Sequence, residues 1–332
     1  MTRGSARLPG LLPWRRAVSA AVVVTLVRPA SWLVALAGFL AGGGLLLAAW
    51  PIVVLPTPSG LQNLLAVPVS TLVFGSPSQE LIALVAGLAA SVGGLLFAGL
   101  SAGAWAERRL VLDTAALAAE EGYTAVPLPA DTAPGTWRVV LLRLTSLVPP
   151  LVAFAGIWST LYDVTYRELI LPEDLATPLP LRVIAKLAVP LLVLALTWLV
   201  ADTAAAAGVR RLVLDRRGLA AAWALGWVAV IRRPGRLLVL ALLGAIGQTL
   251  TFAPALVAAA IGWAMLRGTL EVGRDLWLQA AMTATWVAIW LAALALASVG
   301  AAFRSSLSTL ALLSAAASLE RPVTPTGAGA SR

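Results

Sequence analysis

Six apolar segments, each long enough to cross a lipid bilayer, constrain this chain more than any other feature. They run over 31–54, 80–105, 138–162, 183–207, 236–265 and 277–303. A hydrocarbon core about 30 Å thick is spanned by roughly 20 helical residues. In lipid every backbone N–H and C=O must be satisfied within the protein, so only helices or closed barrels cross it. Continuous apolar runs of this length read as helices. The expected fold is all-α, a polytopic transmembrane helical bundle of six spans. Composition agrees: 12% of the residues are charged and 60% apolar, whereas a soluble domain carries about 25% charge.

The same residues limit the chemistry. The chain has no cysteine and no histidine. Disulfides, thiolate nucleophiles, imidazole bases and the usual zinc sites are excluded. A formal charge of +9 would suggest nucleic acid in a soluble protein. In a membrane protein it reflects arginines collected in cytoplasmic loops, and no nucleic-acid partner is expected. Lys186 is the only lysine, and alanine is abundant, as in a GC-rich bacterial genome.

The loops sort by charge. Arg3, Arg7, Arg15, Arg16 and Arg28 precede the first span. Arg108, Arg109, Arg138 and Arg143 follow the second. Arg210, Arg211, Arg216, Arg217, Arg232, Arg233 and Arg236 follow the fourth, and Arg304, Arg321 and Arg332 follow the sixth. The other five, Arg167, Arg182, Lys186, Arg267 and Arg274, fall in the alternate loops, balanced by Asp163, Glu168, Glu173, Asp174, Glu271 and Asp275. This alternation predicts a bacterial cytoplasmic-membrane protein with both termini in the cytoplasm.

The string RRLVLD occurs twice, at 108–113 and 210–215, each time after an even-numbered span. Its arginines complement the helix dipole and reach lipid phosphates. Asp113 and Asp215, four residues after Arg109 and Arg211, either pair with them in a continuing helix or cap the next one. After the second copy, RRGLAAAWALGWVAVIRRP is too short to span. Trp223 and Trp227 share one face of it, as in an interfacial helix. The N-terminal WRRAVSAAVVVTLVRP has the same form, although residues 17–27 also look signal-like.

The implied unit is an interfacial helix, a proline-marked elbow, a span out and a span back. It starts near residues 14, 113 and 216, with a degenerate middle copy, giving three parallel hairpins within one transmembrane domain over 1–318. The uncharged outer segment 56–79 reads as an interfacial or re-entrant hairpin. Residues 319–332 read as a disordered tail. Arg15, Arg16, Arg108, Arg109, Arg210, Arg211, Arg216, Arg217, Arg232 and Arg233 are expected to contact anionic lipid headgroups or a protein partner, a second copy included.

Other motifs point to packing. GLSAG at 99–103 matches a nucleophile elbow but lacks its histidine. Gly99 and Gly103 instead form GxxxG, a surface for close helix approach. AGGG at 41–44 and Gly244 with Gly247 suggest the same. Asp202 reads as a partner for a cytoplasmic arginine, or as one wall of a polar cleft with Thr145, Ser146, Gln248, Thr249 and Thr251. Pro149-Pro150 and Pro254 should interrupt their helices. No metal or cofactor site is expected.

With its Arg-Pro-span motifs at 28–40 and 232–247, the chain resembles uncharacterised six-helix bacterial membrane proteins. It is also loosely similar to the membrane domain fused to bacterial glycerophosphodiester phosphodiesterases. The resemblance implies an envelope or lipid-related accessory role and carries over no catalytic residue. The functional expectation is a non-catalytic integral membrane scaffold or subunit of an envelope complex. The alternative is a permease or lipid-transport subunit served by a separate ATPase.

Overall fold

The computed structural model describes residues 13–49, 52, 79–123, 135–171, 179–271 and 276–313, and among these no strand occurs. The helices are α1 Trp14–Val27, α2 Ala30–Phe39, α3 Leu45–Ala49, α4 Gln79–Glu120, α5 Thr136–Ser146, α6 Val148–Ile170, α7 Leu179–Lys186, α8 Ala188–Val213, α9 Leu219–Arg232, α10 Pro234–Val257, α11 Trp263–Glu271 and α12 Leu276–Leu310. Wider π-type turns at Leu40–Gly44 and Ala258–Gly262 join α2 to α3 and α10 to α11.

Six stretches are long and apolar enough to cross a membrane: Ala30–Ala49, Leu81–Glu120, Thr136–Glu168, Ala188–Val213, Pro234–Gly268 and Leu276–Leu310. The number and order of the spans agree with the sequence reading, as suits a multi-pass membrane protein. The outer segment before α4, the proline-rich stretch before α5 and the tail at 319–332 lie outside the described residues.

Helix α4, the second span, differs from expectation. It does not end near 105 but runs on through RRLVLD to Glu120. No separate interfacial helix starts near residue 113. The cause is local. Asp113 pairs with Arg109 at 3.2 Å, and an alanine-rich turn without Gly or Pro follows, so nothing stops the helix. After the second copy Asp215 pairs with Arg211 at 2.7 Å. There α8 ends at Val213, and Arg216 turns the chain with φ 54°.

Breaks within the spans, and one at the start of the fourth, follow from backbone chemistry. Leu147 separates α5 from α6 just before Pro149-Pro150, and Leu187 separates α7 from α8 three residues before Pro190. Proline has no N–H for the ladder, and its ring clashes with the preceding turn. The π-type turn at 258–262 follows Pro254, and the carbonyl of Ala258 accepts a hydrogen bond from Trp286 Nε1 at 3.0 Å. Within AGGG, Gly42 and Gly43 have a different role from the packing expected of them. Gly43 has φ +105°, and added Cβ atoms at Gly42 and Gly43 would meet nothing within 4 Å. These glycines let the backbone break rather than letting a neighbour approach.

Contacts divide the chain into two compact units. One comprises Met1–Ser31, Arg108–Gly247 and Ala302–Arg332, the other Trp32–Glu107 and Gln248–Ala301. In the first unit α1 buries Ala17, Ala20, Ala21, Val24 and Thr25, the stripe that a helical period places on one face. They pack with Leu117, Ala118, Leu240, Leu307 and Leu310. Helix α9 buries Ala222, Gly226 and Val230, and an added Cβ at Gly226 would collide with the backbone of Ala204 and Gly208 on α8. In lipid there is no apolar driving force between helices, so small residues that let backbones touch supply the attraction.

The second unit is built the same way. A Cβ at Gly99 would lie 2.8 Å from Ala41 O, one at Gly38 would lie 2.9 Å from Ala106 Cβ, and one at Gly103 would reach Gly38 O only at 3.9 Å. Phe39 and Phe252 meet edge to face at 5.0 Å, among Ala48, Ala255, Leu294 and Ala297. Gly300 faces Thr251 and Gln248 so closely that an added Cβ would overlap the Thr251 hydroxyl.

Candidate functional site

The densest polar constellation lies in the first unit and is centred on Asp202 of α8. Its Oδ1 accepts from Arg143 Nη1 of α5 at 2.7 Å, and its Oδ2 accepts from Arg304 Nη2 of α12 at 2.7 Å. One carboxylate thus ties three helices. All three side chains are half-buried, where a charge needs a partner and charge-assisted hydrogen bonds are strong. The Arg304 stem passes over Gly244, where an added Cβ would lie 3.1 Å from Arg304 Cγ.

Two turns along α8, Arg210 extends the polar seam. Its Nη2 donates to Ser308 Oγ at 2.7 Å, its Nη1 to Ala206 O at 2.9 Å and its Nε to Thr309 Oγ1 at 3.3 Å. Arg210 is only 3% exposed. The headgroup contact expected of it is therefore corrected: this guanidinium faces inward and is satisfied by α12 hydroxyls. Adjacent residues of a helix point about 100° apart, so Arg211 emerges while Arg210 is buried. On the same helix as Ser308, Ser306 meets Thr114 at 3.4 Å.

A second buried carboxylate is not apparent as such in the sequence. Glu168 at the end of α6 is 3% exposed. Its Oε1 meets Lys186 Nζ at 2.5 Å and its Oε2 meets Arg182 Nε at 3.4 Å, both from α7. By sequence all three count among the balanced charges of an outer loop. The spacing of Arg182 and Lys186, four apart on one helical face, is the signal for a common partner.

The remaining arginines behave differently from Arg210. Arg15, Arg16, Arg216, Arg217, Arg232 and Arg233 are exposed, with the Arg15 guanidinium 5.4 Å from the Trp14 ring. Arg109 and Arg211 are tied to Asp113 and Asp215, and Arg108 is partly buried. Thr145, Ser146 and Asp202 belong to the first unit, and Gln248, Thr249 and Thr251 to the second. Three of the hydroxyls bond along their own helices: Thr145 to Leu141 O and Leu142 O, Ser146 to Leu142 O, and Thr251 to Gln248 O. Among the described residues no group of three or more Asp and Glu side chains could hold a metal ion. Chemically, this arrangement clamps helices.

Comparison with known protein families, curated proteins and solved structures finds no match to this chain.

Proposed function

We propose that this protein is a non-catalytic integral membrane scaffold, a subunit of a bacterial envelope complex, held at the inner leaflet by the paired helices α1 and α9. The likeness of those two helices carries the reading. Each has 14 residues, and each ends at an arginine before proline: Arg28 with φ −123°, ψ 75°, and Arg233 with φ −139°, ψ 53°. Each buries a small-residue stripe against the protein and leaves large apolar residues exposed. On α1 these include Trp14, Val23 and Leu26, and on α9 Trp223, Val228 and Ile231. An exposed apolar face flanked by arginines suits the boundary between headgroups and acyl chains. With the loop charges, this supports cytoplasmic termini and three like-oriented hairpins. The ion-paired seam around Asp202 supports a first unit clamped into one arrangement.

Single cysteines in this cysteine-free chain test the orientation. A membrane-impermeant thiol reagent added to intact cells is expected to label Leu171→Cys and Trp277→Cys, both highly exposed. It is expected to label Glu121→Cys and Arg217→Cys only after the membrane is opened. Thr114 is an uninformative position because its side chain is buried. The reverse pattern overturns the orientation. Stoichiometric copurification with an ATPase from native membranes would replace the scaffold reading with that of a permease subunit.

A further inference from the structure

We infer that Arg216 and Arg217 form a phosphate-binding turn for the headgroup of an anionic lipid, and that Arg216 occupies a strained backbone position for this purpose. Arg216 is the one non-glycine among the described residues with positive φ, at 54°. The turn follows the end of α8, where the Arg217 N–H reaches back to Arg211 O at 3.3 Å. Glycine commonly fills such left-handed positions after helices because it has no Cβ to clash. An arginine there gives up backbone stability, and strain kept at an exposed position points to a contact made by the side chain.

The surroundings identify that contact. Arg216 and Arg217 are exposed, and neither enters an ion pair among the described residues. The adjacent carboxylate, Asp215, is held by Arg211 at 2.7 Å. From Arg216 to Arg233 the sequence carries four arginines and no acid. Arg216 and Arg217 precede α9, Arg232 ends it and Arg233 follows it, and its exposed Trp223, Leu225, Val228 and Ile231 would lie among acyl chains. A cationic end beside an apolar face is complementary to a lipid that carries both an acyl chain and a phosphate, more than to a free anion. The location at the inner leaflet rests on the reading under Proposed function. The phosphate contact rests on the turn.

The test uses the full chain in uncharged detergent, with phosphatidylcholine or phosphatidylglycerol added as mixed micelles. Without added lipid, Arg216→Gly should melt about 2 °C above the parent protein, because the turn is relaxed. Phosphatidylglycerol should raise the parent's melting temperature more than phosphatidylcholine does. The phosphatidylglycerol concentration for half of that effect should rise about five-fold in Arg216→Gly, as expected for one cation lost at an anionic surface. Arg216→Lys should keep most of the lipid effect. Higher stability with an unchanged phosphatidylglycerol response overturns the inference, and so does equal stabilisation of the parent protein by inorganic phosphate. If the lipid response falls as expected but Arg217→Cys is labelled from outside, the contact stands and the inner-leaflet reading fails.

Discussion

Gly226→Val is expected to detach α9 from α8 and to be the most damaging single substitution in the first unit. An added Cβ at Gly226 would lie 2.9 Å from Gly208 N and 3.1 Å from Gly208 Cα, and closer still to Ala204 O. All three are backbone atoms, so no rotamer change relieves the clash. The opposing glycine is also close, though less confined: a Cβ at Gly208 would lie 3.1 Å from Ala222 O. The helices must separate, and the contacts of Ala222 and Val230 are lost with them. Overpacking a tight interior costs about 1–3 kcal/mol and occasionally more. Alanine recovers about 1 kcal/mol in helix propensity, so Gly226→Ala should lose about 2 kcal/mol net. Valine adds two more methyl groups, recovers less propensity and should lose about 4 kcal/mol. Gly156 on α6, where an added Cβ meets nothing within 4 Å, provides the control. Gly156→Ala should be neutral or slightly stabilising. Denaturation in detergent followed by circular dichroism measures all three, and parental stability of Gly226→Val would refute the account.

Legibility in the sequence divides along one physical line. Apolar length and arginine position are local properties, so the six spans, the two Arg-Pro elbows and the short helices α1 and α9 can be read from residue order alone. Proline's missing N–H makes the break after Ser146 readable too. Helix ends and partners are less legible. The two RRLVLD copies have identical internal spacing, and each forms its Arg–Asp pair. Whether the helix continues depends on the next three residues: Thr-Ala-Ala after the first copy, Arg-Arg-Gly after the second. Glycine patterns are ambiguous for the same reason. Gly99 and Gly226 serve close approach, while Gly43 serves a backbone turn, and only the neighbours distinguish them. Arg143 and Asp202 stand 59 residues apart and Asp202 and Arg304 stand 102 apart, so no local pattern joins them. A usable signal is present even so, because opposite charges placed inside apolar segments need one another.

Asp202→Ala is expected to destabilise the first unit by about 3 kcal/mol, and the rescue pattern separates a clamp from a ligand site. Removing one member of a buried ion pair costs about 3–5 kcal/mol, because the charge left behind has lost its compensation. Here two arginines are left facing each other. The side chains of Asp202, Arg143 and Arg304 retain 26%, 26% and 38% exposure, so solvent softens the penalty toward the lower end. Asp202→Asn keeps the shape and one carbonyl acceptor, and should lose less. Adding Arg143→Ala to Asp202→Ala should cost less than the sum of the single changes, with a coupling of about 1–3 kcal/mol. The triple change Arg143→Met, Asp202→Leu, Arg304→Met replaces the ions with apolar side chains of comparable reach. Such replacements are often neutral or stabilising when the ions serve only to hold structure. A clamp therefore predicts that the triple variant unfolds at or above the parental denaturant midpoint and still assembles with the protein's native partners. Parental stability with lost assembly or lost transport would instead show that the charges themselves act in function. Additive losses across the single, double and triple variants would show that the three side chains do not work as one unit.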